Sequence, residues 1–252
     1  MIETRALRKS YGSSLVLDEV SLTLPRGGIT SIIGANGAGK STLLSVISRL
    51  LTADSGAVSI DSQDIFRAAG PELARKLAVL RQDNHLNARL TVKELVSFGR
   101  YPHSKGRLTP ACREAVNHAM TWLDLTALSD RFLDQLSGGQ RQRAFVAMTL
   151  AQETDYILLD EPLNNLDMKN ARAMMLTLRQ AVQALQKTVV MVLHDINFAS
   201  VHSDRIIAMK AGRVIHSGTP AQIITPAILR DVYDMEITVQ EIDGHRFAFY
   251  YG

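Results

Sequence analysis

The chain has 252 residues, 28 Lys and Arg against 25 Asp and Glu, a formal net charge of +3 and 46% hydrophobic residues, which suits one large domain or two small ones with a substantial core. No apolar run approaches the roughly 20 residues needed to span a bilayer, and the opening Met1-Ile2-Glu3-Thr4-Arg5 lacks the charged-then-apolar layout of a secretion signal, so a cytosolic protein is expected. The single cysteine, Cys112, excludes an intrachain disulfide, and the scattered Lys and Arg form no basic stripe, which argues against nucleic acid and leaves at most a weak attraction to an anionic membrane face.

In chain order, Tyr11-Gly12 sits between two N-terminal strands; the second, from Val16 to Leu24, alternates through Val20, Leu22 and Leu24 as a half-buried strand does. An apolar run from Ile29 to Ile33 leads into a glycine-rich loop and a helical pattern from Thr42 to Leu51. Short strands are predicted at Val58 to Ile60 and Leu77 to Leu80. Thr91-Val92-Lys93-Glu94 is a capping box opening a helix through Phe98. Thr109-Pro110 pairs an N-cap with proline at the first helical position, and the helix it starts carries Ala115, Ala119, Met120 and Leu123 on one side. Gly138 to Gln152 is helical in pattern, and Met174, Leu178, Val182 and Leu185 form a helical stripe. Tyr156 to Leu159 and Thr188 to Leu193 are continuously apolar, as central strands buried on both faces are. Ile206 to Met209 and Val214 to Ile215 flank a turn at Gly212. Ile237, Val239 and Glu241 alternate up to Asp243-Gly244, a hairpin signal, with His245 to Tyr251 returning.

Buried strands among helices argue an α/β domain with a mostly parallel sheet. From about His85 to Gln152 there is no good strand, so residues 85–152 are expected to form a helical insertion within a core built from 1–84 and 153–252.

The chemistry is concentrated in Gly34-Ala35-Asn36-Gly37-Ala38-Gly39-Lys40-Ser41, which matches G-x-x-x-x-G-K-[ST] and has the strand-then-helix setting the motif requires. Glycines let the backbone fold into a concave nest of N–H groups, and the following helix N-terminus adds its dipole. Lys40 brings a full charge to the outer phosphates, the Ser41 hydroxyl can ligate Mg²⁺, and Thr42 completes the set at the helix start. The motif points to a nucleoside triphosphate.

Asp160-Glu161 ends the buried strand Tyr156 to Leu159, at the ligand-binding edge of an α/β sheet. Beside a phosphate loop, the first acid suits Mg²⁺, usually through water, and the second can orient and deprotonate attacking water; by themselves, solvated acids at a strand end are common. Leu136-Ser137-Gly138-Gly139-Gln140 precedes a helix and reads either as an ordinary capped start or as a second anion site that two chains packed head to tail could supply to each other. His194 follows its apolar strand as Glu161 follows its own, and could hydrogen-bond the γ-phosphate and the attacking water. Gln82, after Leu77 to Leu80, could ligate Mg²⁺ or orient water, and Tyr11 could stack on adenine; both would be unremarkable alone.

The combination resembles the ABC-transporter ATPase subunits. Tyr11, the loop Gly34 to Ser41, Gln82, Leu136 to Gln140, Tyr156 to Glu161, Leu166-Asp167 and His194 occur in that family's order and spacing, over essentially the whole chain. The resemblance implies a P-loop NTPase with a RecA-like core, an antiparallel β subdomain and an inserted α-helical subdomain. It also implies a head-to-tail homodimer burying two ATP, each between Lys40 of one copy and Ser137 and Gly139 of the other. Phe98-Gly99-Arg100-Tyr101-Pro102-His103, Gln140 to Phe145 and His194-Asp195-Ile196-Asn197 are similar to the ferric-siderophore importer ATPases, and Asp160 to Met168 to their petrobactin- and catecholate-type members. The loop before Asp167 departs from the commoner Thr-Ser-x-Leu-Asp form, carrying asparagines at 164 and 165. The longer regulatory tail of some sugar-importer ATPases is not expected.

Implied with the family are ATP and Mg²⁺, the second copy, integral membrane permease subunits, indirectly a substrate-binding protein, and a peripheral place on the cytoplasmic face of the cell membrane. Ser41, Gln82 and Asp160 would place Mg²⁺, Glu161 would activate water, and a groove between Gln82 and about Pro102 would receive a permease helix. Haem, cobalamin or another metal chelate stand beside siderophore as cargo. A soluble ABC ATPase acting on chromosomes or ribosomes, or a purely regulatory nucleotide-binding module, stands as the competing class.

Overall fold

The computed structural model describes residues 1–82 and 88–250. The chain begins with β1 (Ile2–Tyr11), β2 (Ser14–Leu24), β3 (Gly28–Ile33), α1 (Lys40–Ile47), β4 (Ser55–Ile60) and β5 (Gln63–Asp64). It continues through α2 (Gly70–Lys76), β6 (Leu77–Leu80), α3 (Val92–Phe98), α4 (Tyr101–Ser104), α5 (Pro110–Trp122), α6 (Gly138–Ala151), β7 (Tyr156–Asp160) and α7 (Met168–Leu185). It closes with β8 (Thr188–Val192), α8 (Ile196–His202), β9 (Arg205–Lys210), β10 (Arg213–Gly218), α9 (Pro220–Ile223), α10 (Pro226–Tyr233), β11 (Thr238–Ile242) and β12 (His245–Phe249). Two compact units result, one of residues 1–68 with 188–252 and one of residues 69–187.

In the first unit, β3 runs parallel to β8 and to β9, while β10 returns antiparallel on β9. Every residue of β8 is buried, which matches its unbroken apolar sequence. A second, antiparallel sheet has the order β2-β1-β4-β5. In β2 both Leu17 and Val20 are buried, three residues apart, against the simple alternation. Glu19 lies between them at φ 53, and the extra residue of that bulge resets which face the strand buries. β11 and β12 form the hairpin the sequence announced at Asp243-Gly244; Tyr251, the end of its expected return strand, lies outside the described residues.

In the second unit, β6 pairs parallel with β7, Leu77 opposite Tyr156 through Leu80 opposite Leu159. All five residues of β7 are buried. From Val92 to Ala151 the named elements are helices; α3, α5 and α6 pack on one another, and Leu95, Val96, Ala115, Val116, Ala144 and Phe145 on them are buried. His85, the expected start of the helical insertion, lies outside the described residues. Both predicted caps form: Thr91 and Glu94 close a reciprocal box, and the Thr109 hydroxyl accepts from the Cys112 amide.

Two helix ends differ from the sequence pattern. The helix expected to reach Leu51 stops at Ile47, because Arg49 turns to φ 59; Leu50 is then 55% exposed. Leu185, read as the end of the α7 stripe, is 48% exposed beside the left-handed Gln186 cap, while Met174, Leu178 and Val182 are buried as the periodicity requires.

Candidate functional site

The phosphate loop lies in the first unit, between β3 and α1. Its shape is fixed by glycines, two of them without room for a side chain. Gly34 adopts φ 147, and a Cβ there would sit 2.2 Å from the Met209 carbonyl oxygen. Gly39 adopts φ 94, with a Cβ 2.6 Å from the Val16 carbonyl oxygen. At Gly37, by contrast, φ is 79 but the space is open, so backbone conformation alone selects glycine. Ala38 donates its N–H to Ala35 across the loop, and Gly212 donates to Ala38 from the β9–β10 turn. Ala35, Asn36 and Gly37 are exposed at the tip, whereas Ala38, Gly39 and Lys40 are buried. The Lys40 ammonium donates to the carbonyls of Gly34 at 2.9 Å and Ala35 at 3.0 Å, so the cation lies along the loop itself. Ser41 and Thr42 follow in the first turn of α1, half-buried.

His194 and Tyr11 belong to the same unit. His194 follows β8 and is exposed; Asp195 then caps α8, accepting from the amides of Asn197 and Phe198. Tyr11 ends β1 with its ring 54% exposed, available for stacking, and the Lys9 ammonium lies 5.9 Å from its centroid. A residue the sequence did not single out, Tyr233 of α10, also borders the loop. Burial pushes its hydroxyl well above the ordinary range, the Gly34 backbone being the opposing influence. The phenol therefore stays neutral beside a site built for anions.

The second unit carries the acids and the signature. Asp160 ends β7 and is buried; Glu161 follows, also buried, at φ 52, a left-handed conformation that turns the chain sharply out of the strand. Gln82 donates its side-chain amide to Glu161 Oε2 at 2.8 Å, so the glutamine and the second acid, separated by 79 residues, meet directly. Asn164 also donates to Glu161 Oε2. The sequence pattern marked Asn164 only as a departure within a loop. Its position three residues after the acid, in an asparagine-rich turn, was the available signal.

Ser137 caps α6 in a closed box with Gln140: the Ser137 hydroxyl accepts from the Gln140 amide at 3.2 Å, and Gln140 Oε1 accepts from the Ser137 amide at 3.0 Å. Ser137 and Gly138 are exposed at this helix start. Gly139 is needed for close packing, since a Cβ there would meet Leu166 at 3.1 Å. Gln142 donates to the Pro162 carbonyl at 3.0 Å, tying α6 to the turn that follows Glu161. Asp167 caps α7, accepting from the Asn170 backbone at 2.8 Å; that bond holds its carboxyl below the usual carboxylate range.

Among the described residues, no helix is long and apolar enough to cross a membrane.

Comparison with known proteins agrees with this geometry. Residues 17–164 match the family model described as ABC transporter. The chain is 53% identical to a petrobactin import ATP-binding protein of Bacillus subtilis, with all of both chains covered. It is 39% identical to the ferric enterobactin transport ATP-binding protein of Escherichia coli, covering 92% of this chain and 87% of that one. Among solved structures it is similar to a dimeric ATP-binding cassette in a post-hydrolysis state bound to ADP and phosphate. That match has a TM-score of 0.78 and 31% identity, covering 87% of this chain and 99% of that one. A phosphate loop, an acid pair at the end of a buried strand and an open signature helix, found in a chain so related, have one explanation: the chain belongs to the ABC transporter family, as one of its ATP-hydrolysing cassettes.

Proposed function

We propose that this chain hydrolyses ATP to energise import of iron–siderophore complexes through a membrane permease, sitting peripherally on the cytoplasmic face of the cell membrane. The observation that carries this reading is full-length similarity, at 53% identity, to a siderophore-import ATP-binding protein, and the phosphate loop and the Asp160-Glu161 pair support it.

Two copies pack head to tail, and each ATP is held by the Gly34–Thr42 segment of one copy and the Ser137–Gln140 helix start of the other. Tyr11 stacks on the adenine. Lys40 turns from the loop carbonyls to the β- and γ-phosphates, and the amides of the nest take the remaining oxygens. Ser41, Gln82 and Asp160 would hold Mg²⁺ through hydroxyl, amide and carboxylate oxygens, the donor chemistry that ion selects, and it would supply neutralisation of phosphate charge there. Glu161 accepts a proton from the attacking water, and His194 holds the γ-phosphate and that water in register. Positioning and electrostatics supply most of the rate enhancement in phosphoryl transfer. Loss of the γ-phosphate removes the group that bridges the copies, and they part.

The permease binds on α3 and α4. A groove of about 660 Å³, lined by Leu90, Lys93, Glu94, Phe98, Tyr101 and Leu108, lies between α3, α4 and the loop after α4. Phe98 is 54% and Tyr101 61% exposed, an apolar floor with charged edges that suits an amphipathic helix. The test is co-purification with the permease, followed by reconstitution and ATP-dependent uptake of radiolabelled ferric siderophore. Uptake of haem or cobalamin in place of every siderophore offered would reassign the cargo.

A further inference from the structure

We propose that Asn164 is a positioning residue for Glu161, fixing the carboxylate from which the water proton is taken up; this rests on the general-base role given to Glu161 above.

Glu161 is buried and its Oε2 accepts two side-chain amides, from Gln82 at 2.8 Å and from Asn164. The two donors are held very differently. Asn164 also donates its backbone N–H to the Glu161 carbonyl at 3.2 Å, so the turn 161–164 is closed by main chain and side chain together. Pro162 stiffens that turn, and Gln142 of α6 donates to the Pro162 carbonyl at 3.0 Å, anchoring it from a third direction. Asn165, at φ 62, then leads away to the Asp167 cap. Asn164 reaches the carboxylate through two torsions on a fixed backbone. Gln82 uses three, on an exposed residue beyond the end of β6. The asparagine is thus the pre-organised donor and loses less freedom in keeping the contact. Two amide donors on one carboxylate oxygen fix the plane of the Glu161 carboxyl group.

The test uses the purified full-length chain with Mg-ATP. N164A is expected to lower kcat by about ten-fold or more while KM and the equilibrium affinity for ATP stay within about two-fold of wild type. N164D has the shape of asparagine and guards against a folding defect in N164A. It replaces the donor with a like charge and is expected to lower kcat further, with circular dichroism at the assay temperature showing that the chain is folded. In an E161Q background, where no base remains to be positioned, neither substitution should slow the residual rate further. N164A and N164D both hydrolysing within about two-fold of wild type would overturn the proposal. So would an equal fold-loss with and without the Glu161 carboxylate, which leaves the base assignment standing and places Asn164 elsewhere. E161Q turning over at the wild-type rate would remove the base assignment itself.

Discussion

Lys40 Nζ donates to the carbonyl oxygen of Gly34 at 2.9 Å, a contact between the two ends of the phosphate loop. With Ala35 accepting at 3.0 Å, the ammonium lies along the loop it would share with a bound phosphate. On the proposed reading, nucleotide binding would exchange neutral carbonyls for anionic oxygens and strengthen the bonds the lysine makes. Lys40→Ala should lower ATP affinity by about a hundred-fold or more, since charge-assisted bonds to phosphate are among the strongest available. Isothermal titration with ATP checks this; unchanged affinity would remove the loop from its assigned role.

Glu161→Gln keeps the shape and the amide-accepting oxygen but abolishes the base. Hydrolysis should fall by about 10²- to 10⁴-fold with ATP binding intact. Closed dimers should then accumulate with ATP, visible by size-exclusion chromatography with light scattering. A protein that remains monomeric when loaded and hydrolysis-blocked contradicts the shared-site arrangement.

Gly34→Ala tests the loop as a shape. Its φ of 147 and the Met209 oxygen 2.2 Å from a built Cβ leave no accommodating movement short of shifting β9 or the loop. Destabilisation of about 2 kcal/mol or more is expected from backbone strain and displacement together. Urea unfolding measures it. Gly37→Ala, with open space at φ 79, should cost visibly less.

Asp167 provides the pH dependence. The Asn170 backbone bond lowers its folded-state pKa below the ordinary 3.8. A depressed carboxylate contributes stability above its unfolded pKa and loses it as pH falls through the folded pKa. Asp167→Asn retains a capping oxygen that does not titrate. Its stability should therefore fall less steeply than that of wild type between roughly pH 4 and pH 2, as read by denaturant melts at each pH.

Features decided by local spacing are legible in the order of residues alone. The Gly34 to Ser41 loop, the Thr91–Glu94 and Ser137–Gln140 ends and the Asp243-Gly244 turn are each settled within a few residues, and each forms as expected. The apolar runs that become β7 and β8 are equally plain, because a strand buried on both faces has no polar residue to spare. What pattern does not give are contacts across long separations and small backbone reversals. Gln82 and Glu161 are 79 residues apart, and no periodicity links them. Arg49 at φ 59 ends α1 early although Leu50 and Leu51 continue its apolar rhythm, so backbone geometry overrides side-chain pattern there. Glu19 shifts the parity of β2 by the same kind of local departure.

The tail hairpin bears on the engine more closely than its distance along the chain implies. Asn197 of α8 both donates to and accepts from Ala248 of β12, Ser200 donates to the Arg246 carbonyl, and Arg246 reaches back to Ala221 and Ile224. The clasped helix starts two residues after His194. Loss of the β11–β12 hairpin would therefore loosen the helix that follows His194.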